Sequence, residues 1–408
     1  MKINSYMIGI LIAYNIIIQT ILSYNLYIIN ITNMVMMLAP VALTYIVVLY
    51  TRESMKILLN TRAVTFTLYM VFLLVGSYVV RGSESYTLYY VYDFFLYGLV
   101  PLLLIILPFK VEYVVRGVML TSLLVYTNIN YFFFSNTSDN QLTDANILGM
   151  GLSYAVLVCV IASLIHFIFY RNNAKFIDYI AYVTNLVLII RLVNFGNRGA
   201  FLSLIIFLFL LWYIKKSENG KLSIKIISIS VVVVSLALIV VSQFNTILIK
   251  IMLNLEKFNI SLYSIEKTYS LYIEQGNVDN GRDTIVNWAY KLIIDSPFFG
   301  YGIGVFQEIY GTYPHNFALQ LLCELGIVFS LPIFIILMKS ILNIFRGERH
   351  TLDSRVFILL LFSISIPRLF FSQEFWSTPS FWLLIYFTII QPKKSKGEYL
   401  LVTKKTRL

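Results

Sequence analysis

The chain has 408 residues, of which 59% are hydrophobic and 12% are charged, and its mean hydropathy is +0.80. A soluble globular chain carries roughly 25% charged residues and 45–50% apolar residues, so this composition excludes an ordinary soluble protein. In a membrane protein, the basic residues behind the net charge of +11 indicate which loops are cytoplasmic rather than a nucleic-acid surface. The two cysteines exclude a disulfide-rich secreted scaffold.

Twelve apolar runs predict an all-α, polytopic integral membrane protein with about 12 transmembrane helices. A helix needs about 20 apolar residues to cross the hydrocarbon core of a bilayer, which is roughly 30 Å thick. The eighth and twelfth runs are shorter than the rest. In chain order, the predicted spans are Tyr6–Tyr24, Thr32–Tyr50, Ala63–Val80, Tyr86–Leu107, Val111–Phe134, Ala145–Tyr170, Ala174–Val193, Gly199–Ile214, Leu222–Phe244, His315–Phe345, Leu352–Phe371 and Thr378–Ile390.

The basic residues assign a side of the membrane to each connection. With the N-terminus in the cytoplasm, 22 of the 31 basic residues lie on or near the cytoplasmic face. The positive-inside rule therefore predicts that both termini are cytoplasmic. Nine basic residues remain on the outer face: Arg81, Arg191, Arg198, Lys250, Lys257, Lys267, Arg282, Lys291 and Arg368.

One long interruption divides the chain. Asn245–Pro314 has 70 residues on the outer face, and a loop of this length in a compact protein is usually functional. The expected organisation is spans one to nine (1–244), this extracytoplasmic segment (245–314), spans ten to twelve (315–391) and a basic cytoplasmic tail (392–408). Within the segment, Thr246–Phe258 predicts an amphipathic interfacial helix, and Asp283–Asp295 predicts a second helix.

The sequence offers no metal or nucleotide site. No His, Cys, Asp and Glu residues have metal-ligand spacing, and Cys159 and Cys323 fall inside spans, where packing is the better interpretation. The run from Gly300 to Gly304 has G-x-G-x-G spacing without a surrounding strand–helix frame, on the face away from cytoplasmic nucleotides. Structural glycines in a tight outer loop explain it better.

His315 is the one histidine predicted on the outer face. Pro314 precedes it, in what we expect to be the first turn of a helix at the mouth of span ten. Asn316, Gln320 and Glu324 follow at intervals of four residues and predict a polar stripe that faces protein or water. A solvated interfacial histidine is the structural alternative, whereas a group that titrates near neutrality favours a functional role.

Four outer arginines form a second group of candidates. Arg191, Arg198, Arg282 and Arg368 all lie near predicted outer helix ends, where arginine is costly unless an anion offsets its burial. Arg198 and Arg282 also begin predicted helices, whose free N–H groups favour anions, so phosphate binding is the preferred interpretation for these two. For Arg191 and Arg368 an anion site and a structural role are equally supported.

These residues carry a resemblance to a known family. Asn197-Arg198-Gly199-Ala200, then Gly281-Arg282, Trp288, the glycine run after Pro297, His315-Asn316, and Leu319-Gln320 with Glu324 and Gly326 resemble, in this order, the motifs of the O-antigen ligase/polymerase superfamily. The ordered match extends from Asn197 to Gly326, about a third of the chain. The first eight spans resemble the family only in topology.

The resemblance implies a GT-C-like glycosyltransferase of the bacterial cytoplasmic (inner) membrane that uses an undecaprenyl-diphosphate-linked glycan as donor. By that resemblance, Arg198 and Arg282 would hold the diphosphate, with Arg191 and Arg368 in support. His315 would be the general base on the acceptor hydroxyl or would help to position it. Asn316, Gln320 and Glu324 would support it. No cofactor or metal is expected, and a chain-length regulator and a flippase are the expected protein partners.

Three functions fit these features. A polymerase that joins oligosaccharide repeat units into O-antigen or capsule is preferred, because the chain shows no extra domain for another acceptor. An O-antigen ligase that transfers glycan to lipid A-core or another acceptor is the first alternative. A flippase for the same lipid-linked glycan is the second; it would not need a long outer segment or an outer histidine, and transporters often contain internal repeats.

Overall fold

A computed structural model of the chain describes residues 1–24, 60–81, 85–127, 150–195, 198–216, 282–345, 350–371 and 373–390, with isolated positions between 254 and 273. All regular structure in these ranges is helical. The helices are α1 (Lys2–Tyr24), α2 (Thr61–Arg81), α3 (Ser85–Asp93), α4 (Val100–Ile106), α5 (Val111–Leu120), α6 (Met150–Phe169), α7 (Phe176–Phe195), α8 (Arg198–Lys216), α9 (Arg282–Asp295), α10 (Val305–Tyr310), α11 (Phe317–Phe345), α12 (Leu352–Leu369) and α13 (Pro379–Ile390). A π-helical stretch, Phe94–Leu99, joins α3 to α4.

Ten of the twelve predicted spans overlap with described helices, the fifth and sixth of them only in part. The fourth span consists of α3, the π-helical stretch and α4. The second and ninth predicted spans, and the predicted helix Thr246–Phe258, lie outside the described residues. Within the described residues, six helical segments are long and apolar enough to cross a membrane. The described part of the chain is all-helical and belongs to a multi-pass membrane protein, and the total of twelve spans stays a prediction.

Two helices, α2 and α7, expose rows of apolar side chains on their surfaces. α2 exposes Leu68, Phe72, Val75 and Val79, which recur at intervals of three and four residues on one helical face. α7 likewise exposes a row of apolar side chains (Ile180, Val183, Leu186 and Ile190). Contiguous exposed apolar faces of this size on long helices are expected to contact lipid.

The interior of the bundle is built around α6, which packs against α1, α5, α7, α8 and α12. Cys159 on this helix is fully buried, as the packing interpretation predicted, and so is Cys323 on α11. α12 packs in turn against α8, α11 and α13. This arrangement brings the connection between α12 and α13 close to the outer segment, where α9 packs against α11.

The tenth predicted span differs from its prediction in two respects. α11 begins at Phe317, so Pro314 and His315 precede the helix rather than forming its first turn. Gly326 has φ 61° and ψ −173°, which interrupts the helix after Leu325. The N–H groups of Ile327 and Val328 donate instead to the carbonyl oxygens of Pro297 and Phe298, at 2.9 and 3.0 Å. The polar stripe and the apolar remainder are therefore on two separate helical segments.

The glycine run of the outer segment packs against this interruption, which supports its structural interpretation. Gly300, Gly302 and Gly304 all have positive φ. The N–H groups of Tyr301 and Gly302 each donate to a carbonyl oxygen of α11 at 2.9 Å. A Cβ on Gly300 would lie 2.6 Å from the backbone of Glu324, so no other residue fits there without displacing the chain.

Candidate functional site

Tyr313 is the residue around which the candidate site assembles. Its ring centroid lies 4.0 Å from that of His315. The pKa of the Tyr313 phenol is raised to about 12, chiefly by burial and also by Glu374, while Arg368 and Arg282 oppose the rise. These three charged groups belong to α9, α12 and the connection after α12, and all are close enough to act on one phenol. The fold therefore collects two predicted arginines and the predicted histidine at one place.

Arg282 links the outer segment to the membrane helices. It begins α9, which confirms that it lies at a helix N-terminus. Its Nη2 donates to the carbonyl oxygen of Phe371, just beyond the end of α12, at 2.9 Å. Within the described residues it forms no ion pair with a carboxylate. A guanidinium held by one carbonyl oxygen keeps its remaining donors for an anion.

His315 is half-buried in a strained turn. Its φ is 51°, an uncommon conformation for a residue other than glycine. Burial lowers the pKa of the imidazole below its ordinary value, and the positive charge of Arg282 lowers it further. The imidazole is therefore neutral at neutral pH and able to accept a proton. Half-burial beside Arg282 favours the functional interpretation over a solvated interfacial histidine.

Arg368 belongs to the same cluster and borders a cavity. Its guanidinium carbon lies 4.8 Å from the centroid of the Tyr154 ring. Its Nε has no hydrogen-bond partner in the part of the chain that the structure describes. The cavity, of about 30 Å³, is also lined by Gln373 and Ser380, and it is large enough for a water molecule. Arg368 therefore retains donor capacity next to the candidate site.

The other two predicted arginines, Arg198 and Arg191, lie on α8 and α7. Arg198 begins α8, as predicted, although its side chain lies outside the described residues. A Cβ on the next residue, Gly199, would clash with the Tyr154 hydroxyl and would lie 3.3 Å from Phe371, so the start of α8 is brought to the candidate site. Arg191 is half-buried on α7 and is not among the described groups that shift the pKa of Tyr313 or His315.

The predicted polar stripe is only partly correct. Asn316 precedes α11 and caps it, since its Oδ1 accepts hydrogen bonds from the N–H groups of Ala318 and Leu319 at 3.0 and 3.2 Å. Gln320 and Glu324 do form a buried pair, in which Gln320 Nε2 donates to Glu324 Oε1 at 3.1 Å. Trp376 Nε1 donates to the other carboxylate oxygen at 3.3 Å. The correction concerns Asn316, which closes a helix end instead of extending the stripe.

Glu374 is a site residue that the sequence reasoning missed. It lies in the short connection between α12 and α13, where Tyr90 Oη and Gln307 Nε2 both donate hydrogen bonds to its Oε1. Burial raises the pKa of the Glu374 carboxyl above its ordinary value, and these two hydrogen bonds oppose the rise. These two hydrogen bonds to Glu374 join α3 and α10 to the α12–α13 connection.

Tyr313 and Glu374 both had weak signals in the sequence. Tyr313 stands two residues before His315, in a polar interruption between apolar runs. Glu374 follows Ser372 and Gln373 in a similar interruption between the last two spans. Nothing in the sequence relates these interruptions to each other, because they are about sixty residues apart. Among the described residues, no group of three or more His, Cys, Asp and Glu side chains is arranged to hold a metal ion.

One family model matches part of the chain. Residues 183–334 match the family model described as O-antigen ligase. This match confirms the resemblance of the region to the O-antigen ligase/polymerase superfamily, whose members are membrane enzymes that transfer glycans. The matched region contains Arg191, Arg198, Arg282 and His315 and ends before Arg368 and Glu374. No curated protein and no solved structure matches the chain.

Proposed function

We propose that the protein is a polymerase that joins undecaprenyl-diphosphate-linked oligosaccharide repeat units into O-antigen or capsular polysaccharide. The family match supports O-antigen ligase or polymerase-type function and does not separate the two. The proposed location is the bacterial inner membrane, with both termini in the cytoplasm and the site on the outer face. A chain-length regulator and a flippase are the proposed protein partners.

One observation carries the proposal: Arg282, Arg368 and His315 meet around Tyr313, and neither arginine pairs with a carboxylate among the described residues. Partly buried cations without anionic partners are costly, and a diphosphate would offset that cost. A neutral imidazole lies beside them. Anion-binding groups next to a proton acceptor are the parts that a glycosyl transfer from a diphosphate requires.

In the proposed reaction the acceptor hydroxyl attacks the anomeric carbon of the donor glycan. The glycosidic bond forms as the bond between that carbon and the diphosphate oxygen breaks, and His315 takes the hydroxyl proton. Arg198 and Arg282, with Arg191 and Arg368 in support, stabilise the negative charge that develops on the departing undecaprenyl diphosphate. His315 then releases its proton to water, and the site is ready for another repeat unit.

Deletion of the gene separates polymerase from ligase. If the protein is a polymerase, the deletion strain attaches single repeat units to the final acceptor, and the surface-glycan ladder collapses to one step. Polymer that accumulates on undecaprenyl diphosphate and is never attached would instead identify a ligase. Complementation with His315→Ala and with Arg282→Ala is expected to leave the defect uncorrected. Normal chain lengthening in both variants would contradict the catalytic role of these residues.

The same strains test the flippase alternative. A flippase defect leaves lipid-linked repeat units on the cytoplasmic side of the membrane, whereas a polymerase defect leaves them exposed on the outer side. Labelling of intact spheroplasts with a reagent that does not cross the membrane distinguishes the two. Labelled repeat units in the deletion strain would support glycan transfer, and protected repeat units would support transport.

A further inference from the structure

Glu374 has one fixed and one free carboxylate oxygen. Tyr90 and Gln307 both donate to Oε1, so the side chain is held from two directions. Oε2 has no hydrogen-bond partner among the described residues, and it is not one of their enclosed, unsatisfied polar atoms. The carboxylate therefore has a defined orientation and one oxygen that is available to a ligand.

Glu374 lies on a segment of the candidate site, since its neighbour Gln373 lines the cavity that Arg368 borders. Glu374 acts electrostatically on Tyr313 and on the exposed Tyr89. The connection that carries Glu374 starts at Phe371, whose carbonyl oxygen binds Arg282. A single short segment thus binds Arg282 through the Phe371 carbonyl oxygen and carries the carboxylate of Glu374.

The charge of each group determines which part of a substrate it accepts. A diphosphate is attracted to Arg282 and Arg368 and repelled by Glu374. A carboxylate oxygen next to tyrosine rings suits a ligand rich in hydroxyl donors, since it accepts hydrogen bonds that a phosphate does not offer. In a direct displacement the attacking hydroxyl and the leaving diphosphate are held by different groups, and Glu374 is suited to the hydroxyl.

We infer that Glu374 is an acceptor-binding residue, whose Oε2 accepts a hydrogen bond from a hydroxyl group of the acceptor glycan and so positions it for attack. This inference rests on the proposed function. His315 keeps the role of proton acceptor, and Glu374 sets the position of the sugar that brings the hydroxyl to it. Its contribution is to acceptor binding and not to diphosphate binding.

Glu374→Gln tests the inference, because an amide carbonyl still accepts from Tyr90 and Gln307 while an NH₂ group replaces the free oxygen. The purified full-length protein in lipid nanodiscs is assayed for binding of undecaprenyl diphosphate. It is also assayed for transfer to a short synthetic acceptor glycan that lacks a diphosphate. We expect Glu374→Gln to bind undecaprenyl diphosphate like the wild type and to raise the KM for the acceptor about 10- to 100-fold. Arg282→Ala is expected to lose diphosphate binding.

Tyr90→Phe is the matched control, because it removes one hydrogen bond to Glu374 Oε1 and leaves Oε2 unchanged. We expect it to raise the acceptor KM less than Glu374→Gln does. The inference would be overturned if Glu374→Gln left the acceptor KM unchanged, lost diphosphate binding or failed to fold. It would also be overturned if Tyr90→Phe raised the acceptor KM as much as Glu374→Gln does. A wild-type protein that neither binds undecaprenyl diphosphate nor transfers glycan would instead overturn the proposed function.

Discussion

Gly300 and Gly326 lie backbone to backbone, and a Cβ on Gly326 would come to 2.5 Å from the amide nitrogen of Gly300. The first glycine belongs to the outer segment and the second to the interruption of α11. Their contact fixes the loop that precedes α10 against the helix that follows His315. The site around Tyr313 therefore depends on a close approach that neither residue permits if it carries a side chain.

Gly326→Ala is expected to destabilise the protein strongly. The residue combines φ 61° with ψ −173°, a region that is essentially restricted to glycine, and its new Cβ would meet backbone atoms that cannot rotate away. We expect a loss of about 2–4 kcal/mol in the free energy of unfolding. Thermal unfolding in detergent measures it. Gly76→Ala in α2 is the control, because nothing lies within 4 Å of its Cβ, and a normal unfolding temperature in both variants would contradict the packing argument.

The pH dependence of His315 is expected to respond to Arg282. Burial and Arg282 both lower the pKa of this imidazole, so His315 stays neutral to a pH below its ordinary value of 6.5. The unfolded chain takes up its proton first, so the folded state loses stability as the pH falls below about 6.5. Arg282→Gln removes the nearby positive charge and leaves the burial, so it should raise the pKa of His315 partway towards 6.5.

Labelling with diethyl pyrocarbonate measures this shift without an activity assay, because the reagent modifies neutral imidazole. The extent of His315 modification, followed by mass spectrometry across pH, should fall at a higher pH in Arg282→Gln than in the wild type. Arg282→Lys keeps the positive charge and should retain the wild-type profile. Identical profiles for all three proteins would show that Arg282 does not act on His315.

Arg116 and Asp178 form a buried ion pair that joins α5 to α7. Arg116 Nε donates to Asp178 Oδ1 at 2.8 Å, and the Asp178 side chain is fully buried. Asp178→Asn leaves a buried cation without its counter-charge and should cost about 3–5 kcal/mol of stability. The double change Arg116→Met with Asp178→Leu should cost less, since neither charge remains. Thermal unfolding of the three proteins tests this order, and equal stability of the wild type and Asp178→Asn would contradict it.

Transfer of glycan is expected to continue in the presence of EDTA. This prediction follows from the proposed arginine mechanism, in which guanidinium groups stabilise the leaving diphosphate. The measurement is polymer formation by the purified protein before and after chelation, with added Mg²⁺ as the comparison. A strict requirement for Mg²⁺ would count against that mechanism, while the site could still transfer glycan.

Much of the fold follows from the sequence because lipid imposes simple rules. An apolar run of about 20 residues has to close its backbone hydrogen bonds internally, so its length alone predicts a helix. α8 and α9 begin at Arg198 and Arg282, as predicted. The interruption at Gly326 was not predicted, because the hydrogen bonds that replace the helical ones come from Pro297 and Phe298, residues distant in sequence.

For the candidate site, too, some features follow from the sequence and others only from the tertiary structure. The sequence determined that the chain is a multi-pass membrane protein with His315 and Arg282 as candidate residues, since residue type and family motif are local properties. Only the tertiary structure decided that Arg282, Arg368 and Glu374 all act on Tyr313, and that Asn316 caps α11. The physical reason is that hydrogen bonds and charges act through space, whereas the sequence orders residues only along the chain.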